Sequence, residues 1–286
     1  ASIIVMLLLL GIGSSLCWGT ADFFGGLQSR RIPSLAVALW SQLAGGVVLL
    51  AVLAVGHTTP TPPTIAWGVF GGLFGGAALA LFYRGLAVGT MSIVAPVSAC
   101  GAIVPVLLTL ATGHIPRVLA LVGIIVAIGG VILVSLQREA APHDARRARQ
   151  SLLLALGAAL GFGLFFVGLD YGSVGGHDAP LWAVGGARLG SLAMLVALVV
   201  INRGVAPWPG RRTAPVAGVG ILDMTANVLF AYATTRGNAG VVAVLGSLYP
   251  VMTVILGRFV LAERLTQVQN IGVVVALAGV VLLSAG

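Results

Sequence analysis

The sequence predicts an all-α membrane protein of ten transmembrane helices, built as two inverted five-helix repeats. Three observations lead there: the composition, the spacing of the apolar runs, and the similarity of one half of the chain to the other. Of 286 residues, 59% are hydrophobic and 8% are charged, and the mean hydropathy is +1.11. Soluble domains carry about a quarter charged residues, so a chain this apolar requires lipid around it.

A helix needs roughly 20 apolar residues to cross about 30 Å of hydrocarbon. Apolar runs between polar or Pro/Gly breaks fall at 3–24, 34–55, 65–87, 90–112 and 117–136, then at 151–169, 179–201, 214–235, 238–260 and 268–285. The first run lacks a basic leader and an A-x-A cleavage site, which argues for a helix and against a signal peptide. A polar connector at 137–150, holding Arg138, Glu139, His143, Asp144, Arg146, Arg147 and Arg149, separates a first unit at 1–136 from a second at 151–286.

Alternate loops face opposite sides of the bilayer. Those after runs 1, 3, 5, 7 and 9 hold Arg30, Arg31, Arg84, the Arg138 to Arg149 group, Arg203, Arg211, Arg212, Arg258 and Arg264, whereas the other face has Arg117 and Arg236. The positive-inside rule then places the odd-numbered loops in the cytoplasm and both termini outside, in a bacterial-type inner membrane. All 15 basic residues are Arg. Because they cluster between apolar runs, they report orientation and not nucleic-acid binding.

The halves resemble each other. Gly123 and Gly130 match Gly272 and Gly279 at a common offset of 149, within GIIVAIGGVILVSL and GVVVALAGVVLLSA. Leu16-Cys17-Trp18-Gly19 pairs with Leu160-Gly161-Phe162-Gly163, and Gly89 with Gly237, at offsets of 144 and 148. Five is odd, so consecutive five-span units cross the membrane in opposite senses, which is the inverted-repeat plan of many secondary transporters.

Charges inside the runs are the sharpest chemical signal, because an ionised group at mid-bilayer costs about 2.5 kcal/mol or more unless it is paired or faces water. Arg188 and Asp223 each lie about ten residues into consecutive runs and are placed to meet as an ion pair. Two roles stay open for them: a buried strut, or a substrate-carboxylate or coupling site. Asp22, near the end of the first run and followed by Arg30 and Arg31, is either an interfacial carboxylate or a proton acceptor. Glu263, beside Arg264 in a short loop, is a helix-end charge or an intracellular gate.

Pro96 and Pro105 in the fourth run and Pro250 in the ninth remove backbone hydrogen bonds in corresponding helices. Such breaks are simple kinks or they flank a transport site. Gly71-Gly72 and Gly75-Gly76 mark close helix packing. Trp67, Trp182 and Trp208 suit an interfacial belt. Trp18, Trp40, Tyr83, Phe162, Phe165, Phe166, Tyr232 and Tyr249 lie deeper and are candidates to line a cavity, with Gln42, Ser98 and Asn227 as neutral donors and acceptors.

Cys17 and Cys100 have no CxxC spacing, and His114 and His177 stand apart from any carboxylate or thiol cluster, so no metal and no cofactor are expected. An intramembrane enzyme needs a catalytic set at one depth. The chain has no Lys and its histidines are scattered, which argues against an enzyme.

The run Tyr249-Pro250 through Leu256-Gly257, then Leu261-Ala262-Glu263-Arg264-Leu265, Ile271-Gly272 and Ala278-Gly279-Val280-Val281-Leu282-Leu283, resembles the closing signature of the drug/metabolite transporter superfamily, EamA branch. Trp18-Gly19 and Arg188 are similar to the same pattern, and the likeness covers essentially the whole chain. The resemblance implies ten helices around a central cavity and a secondary transporter that exports small metabolites by alternating access, closest in kind to exporters of aromatic and hydrophobic amino acids. Alternatives are export of other amphipathic metabolites or drugs coupled to protons, or a non-transporting scaffold with Arg188 and Asp223 in packed protein. The implied partners are a small-molecule substrate and the bilayer, and two halves in one chain let a monomer suffice. His114 stands where an offset of 149 places the counterpart of Glu263, and Gln42 where an offset of 146 places that of Arg188, so each half keeps only part of the charged pattern.

Overall fold

The computed structural model describes residues 2–55, 59–111, 118–135, 142–176, 178–203, 206–234, 246 and 248–285, and among these no strand occurs. In chain order the helices are α1 (Ser2–Ser29), α2 (Ser34–Val55), α3 (Pro62–Val88), α4 (Met91–Ala99), α5 (Ile103–Ala111), α6 (Val118–Ser135), α7 (Pro142–Gly172), α8 (Ala179–Ile201), α9 (Thr213–Thr234), α10 (Tyr249–Leu261) and α11 (Gln267–Ala285). Helices satisfy their backbone polar groups internally, as lipid demands. Five segments are long and apolar enough to span a membrane: Ser34–Val55, Pro62–Val88, Ala145–Gly172, Ala179–Ile201 and Gly210–Ala233. The outer surface is apolar to match, with Phe259 85%, Val118 76% and Ile125 72% exposed.

Three boundaries depart from the sequence expectation. The connector is helical from Pro142 onward and continues into α7, because Ala, Arg and Gln favour helix and Pro suits its first position. The fourth apolar run is divided by a 3-10 turn at Cys100–Ala102 between α4 and α5. Pro105 cannot donate to the Gly101 carbonyl four residues back, so the chain tightens there. Third, α1 runs on to Ser29, which puts Asp22 inside the helix and not at its end. His114, His177, Arg117, Arg138, Glu139, Arg236, Gly237 and positions 238–245 of the ninth run lie outside the described residues.

The packing follows the internal similarity. α3 packs against α7 and α8, α9 packs against α1 and α2, and α6 lies along α11. Exchanging α1 with α7, α2 with α8, α3 with α9 and α6 with α11 turns the first arrangement into the second and leaves the third unchanged. Glycines set these approaches. A side-chain carbon on Gly72 would overlap the Ala187 carbonyl, and one on Gly220 would overlap the Ser41 carbonyl. Along α6 and α11 the contact is reciprocal: Gly130 faces the backbone of Ala276, and Gly279 faces that of Ala127.

Candidate functional site

The backbone contacts at Gly72 and Gly220 fix the residues that follow in the neighbouring helices, Arg188 in α8 and Gln42 in α2. Gly45 tightens the same crossing, since a side-chain carbon there would lie 2.6 Å from the Gly220 carbonyl oxygen. Arg188 donates through Nη1 to Gln42 Oε1, and its Nη2 lies 3.1 Å from Asp223 Oδ2 in α9. Gln42 Nε2 donates to the same Asp223 oxygen at 3.2 Å. Asn227, one turn along α9, donates to the Asp223 carbonyl at 2.7 Å and to its Oδ1 at 3.4 Å. Ser191 Oγ donates to Gln42 Oε1 at 3.0 Å. The guanidinium therefore meets a carboxylate and an amide oxygen, the two acceptors that make its burial tolerable.

Beside this network lies a cavity of about 100 Å³, and its walls come from equivalent positions of the two halves. Trp18 and Phe162 line it, as do Asp22 and Phe166, Gln42 and Arg188, Gly75 and Asp223, and Leu79 and Asn227. The members of these pairs are 144 to 148 positions apart. Sidedness is chemical: α1, α2, α8 and α9 supply the polar groups, whereas α3 and α7 supply Gly75, Leu79, Phe162, Phe165 and Phe166. Tyr249 of α10 lines it as well, its ring 6.3 Å from that of Trp18 in an edge contact.

Of the candidate site and cavity-lining residues singled out in the sequence, Trp18, Asp22, Gln42, Phe162, Phe165, Phe166, Arg188, Asp223, Asn227 and Tyr249 share this cavity. The others sit elsewhere. Tyr83 is buried among α1 and α3 side chains, its ring filling the space over Gly25. Ser98 is buried and donates to the carbonyls of Val94 and Ala155, tying α4 to α7. Tyr232 lines a separate groove of about 540 Å³ with Leu181, Trp182 and Val228. Pro96 lies inside α4, Pro105 follows the 3-10 turn, and Pro250 occupies the first turn of α10. The Gly246 carbonyl, left without an amide donor by Pro250, accepts from Ser15 Oγ at 3.2 Å.

Glu263 stands at a second junction. Ala262 ends α10 with a left-handed φ of 51°, and the Glu263 carboxylate then accepts from the amides of Met91 at 2.8 Å and Ser92 at 2.9 Å. Thr90 makes no side-chain cap for α4, so this distant carboxylate takes that place, where the helix dipole favours an anion. Arg30 lies 3.5 Å from Glu263 and donates to the carbonyls of Leu86 at 3.3 Å and Gly89 at 3.1 Å. Sequence reasoning missed Arg30 in this junction and Ser191 in the cavity. Ser191 follows Arg188 by three positions and so shares its helix face, which is the signal that would have found it.

The family model described as the EamA-like transporter family matches residues 5–136 and 149–285. A protein solved by crystallography aligns with 96% of this chain and 96% of its own, at a TM-score of 0.63 and 20% identity; the likeness is one of fold. No curated protein matches.

Proposed function

The chain belongs to the EamA-like transporter family and is a multi-pass membrane transporter of small solutes, and from that premise we propose a secondary exporter working by alternating access. Its proposed topology is ten spans in two inverted units, 1–136 and 151–286, with the basic odd-numbered loops in the cytoplasm and both termini outside. The observation that carries this reading is the cavity between the units, walled by equivalent residues such as Trp18 and Phe162. A cavity shared by inverted repeats is the place where rocking of one unit against the other exposes a solute to each side in turn.

Amino acids with aromatic or apolar side chains are the proposed cargo, because one cavity wall is aromatic and the other carries hydrogen-bonding groups. At about 100 Å³ the cavity is smaller than the roughly 300–1,000 Å³ of common ligand pockets, so loading such a cargo requires the surrounding helices to part. Proteoliposomes filled with phenylalanine, leucine and other labelled amino acids test the reading. Release of at least one above the empty-vesicle rate is expected. Release at that rate for the whole panel, from protein shown to be folded, would overturn it.

A further inference from the structure

Three lining residues carry carboxyl or guanidinium groups: Asp22, Arg188 and Asp223. Arg188 is already committed. Its two terminal nitrogens meet Gln42, Asp223 and the Met224 sulfur, and its remaining nitrogen, Nε, is buried without a partner. Asp223 is committed as well, to Gln42, Arg188 and Asn227. Thus, among the described lining residues, the one cation already has its charge balanced by Asp223 and both terminal nitrogens engaged.

Asp22 is in the opposite condition. It lines the cavity, and among the described residues it makes no hydrogen bond or ion pair. With Arg188 and Asp223 paired to each other, Asp22 is the cavity's one carboxyl group without a partner among the described residues. Once ionised, a carboxyl at this depth calls for a cation, and an arriving ammonium group supplies it. Its surroundings suit an organic cation: Trp18 lies one turn back on α1, and Phe162, Phe166 and Tyr249 share the cavity. Aromatic faces attract ammonium groups and also accept an apolar body.

We propose that Asp22 anchors the cargo through an ammonium group, and that the substrate class is apolar or aromatic solutes carrying a primary amine. This rests on the transport-cavity reading and sharpens it: the amine is required, whereas a carboxylate is dispensable. Amino acids belong to the class by virtue of the amino end, and the decarboxylated amines belong to it equally.

Phenethylamine, phenylalanine and 3-phenylpropionate share a ring and differ in charged groups. Their calorimetric affinities for the full chain in lipid nanodiscs decide the matter. Phenethylamine is expected to bind at least as tightly as phenylalanine, and both about tenfold or more tighter than 3-phenylpropionate, the scale of one charge-assisted hydrogen bond. Asp22→Asn is expected to weaken phenethylamine by about tenfold or more while Asp22→Glu restores most of the affinity, which separates charge from folding. Equal or tighter binding of the acid, or an Asp22→Asn protein that is folded and keeps wild-type affinity for the amine, would overturn the proposal. Efflux of amino acids without an amine preference sinks this inference alone; absence of both binding and efflux for all three compounds sinks the transport reading with it.

Discussion

Gln42 and Arg188, 146 positions apart at corresponding places in the two halves, hydrogen-bond to each other side chain to side chain. One half brings a neutral amide, the other a cation, and Asp223 closes the set by accepting from both. Two arginines at these positions would have left two charges for one carboxylate. A neutral amide at position 42 is what keeps the central contact attractive.

Breaking this set is expected to be costly. Asp223→Ala leaves the Arg188 charge buried with only Gln42, and should reduce stability by about 3–5 kcal/mol. Replacing Arg188 and Asp223 together by Met should restore most of the loss, because an apolar pair of similar volume needs no counter-ion. Denaturant unfolding in detergent of the parent, Asp223→Ala and the double variant measures the difference. An Asp223→Ala protein as stable as the parent would show that the pair does not hold α8 to α9.

The glycine contacts give a contrast within a few residues of α9. Gly220→Ala should force α9 away from the Ser41 carbonyl and cost about 1–3 kcal/mol, as overpacking does, and Gly72→Ala should do the same between α3 and α8. Gly218→Ala meets nothing within 4 Å and should be neutral or slightly stabilising, since Ala is the better helix former. Thermal melting of the three variants in one detergent is sufficient. Equal effects at 218 and 220 would contradict the close approach.

Glu263 fastens the end of α10 to the start of α4. Glu263→Ala removes two charge-assisted caps and the partner of Arg30, with an expected loss of about 0.5–2 kcal/mol. The local effect should exceed the global one. In a chain whose two native cysteines, Cys17 and Cys100, have been replaced, Ser92→Cys should react faster with a thiol reagent once Glu263 is removed. An unchanged labelling rate would mean that the junction stays closed without it.

The proposed topology is tested by the same chemistry. Single cysteines at Thr59 and Val174, both exposed, should react with a membrane-impermeant maleimide in intact cells. Cysteines at Arg147 and Arg211, also exposed, should react only after the membrane is opened. Val174 and Arg147 stand at the two ends of α7, so labelling of both from one side would rule out that span and the inversion with it.

Much of this was legible because charge is so scarce. Arg188 and Asp223 stand out in apolar runs, and their depth foretold that they meet. Depth does not tell which way a side chain points. Tyr83 and Ser98 satisfy the same criteria as Tyr249 and Asn227 but face packed protein, because helices apolar on every side carry no periodicity that marks one face. Ser191 escaped notice because a lone serine in a span is as often bonded to its own helix, as its hydroxyl also is here to the Arg188 carbonyl at 3.1 Å. The contact of Glu263 with Met91 and Ser92 joins residues more than 170 positions apart. Its chemistry was readable in the sequence, but its partner depends on the tertiary path.

The reciprocal contact of Gly130 with Ala276 and Gly279 with Ala127 has the form of an isologous dimer interface, in which the same patch meets itself across a two-fold axis. In a true homodimer every substitution falls on both sides of that axis, so a carboxylate at the centre is always met by its own copy. Covalent fusion lifts that restriction. Asp22 can face a phenylalanine-lined wall, and one arginine can stand where its twin is a glutamine, only because the two copies are free to diverge within a single chain.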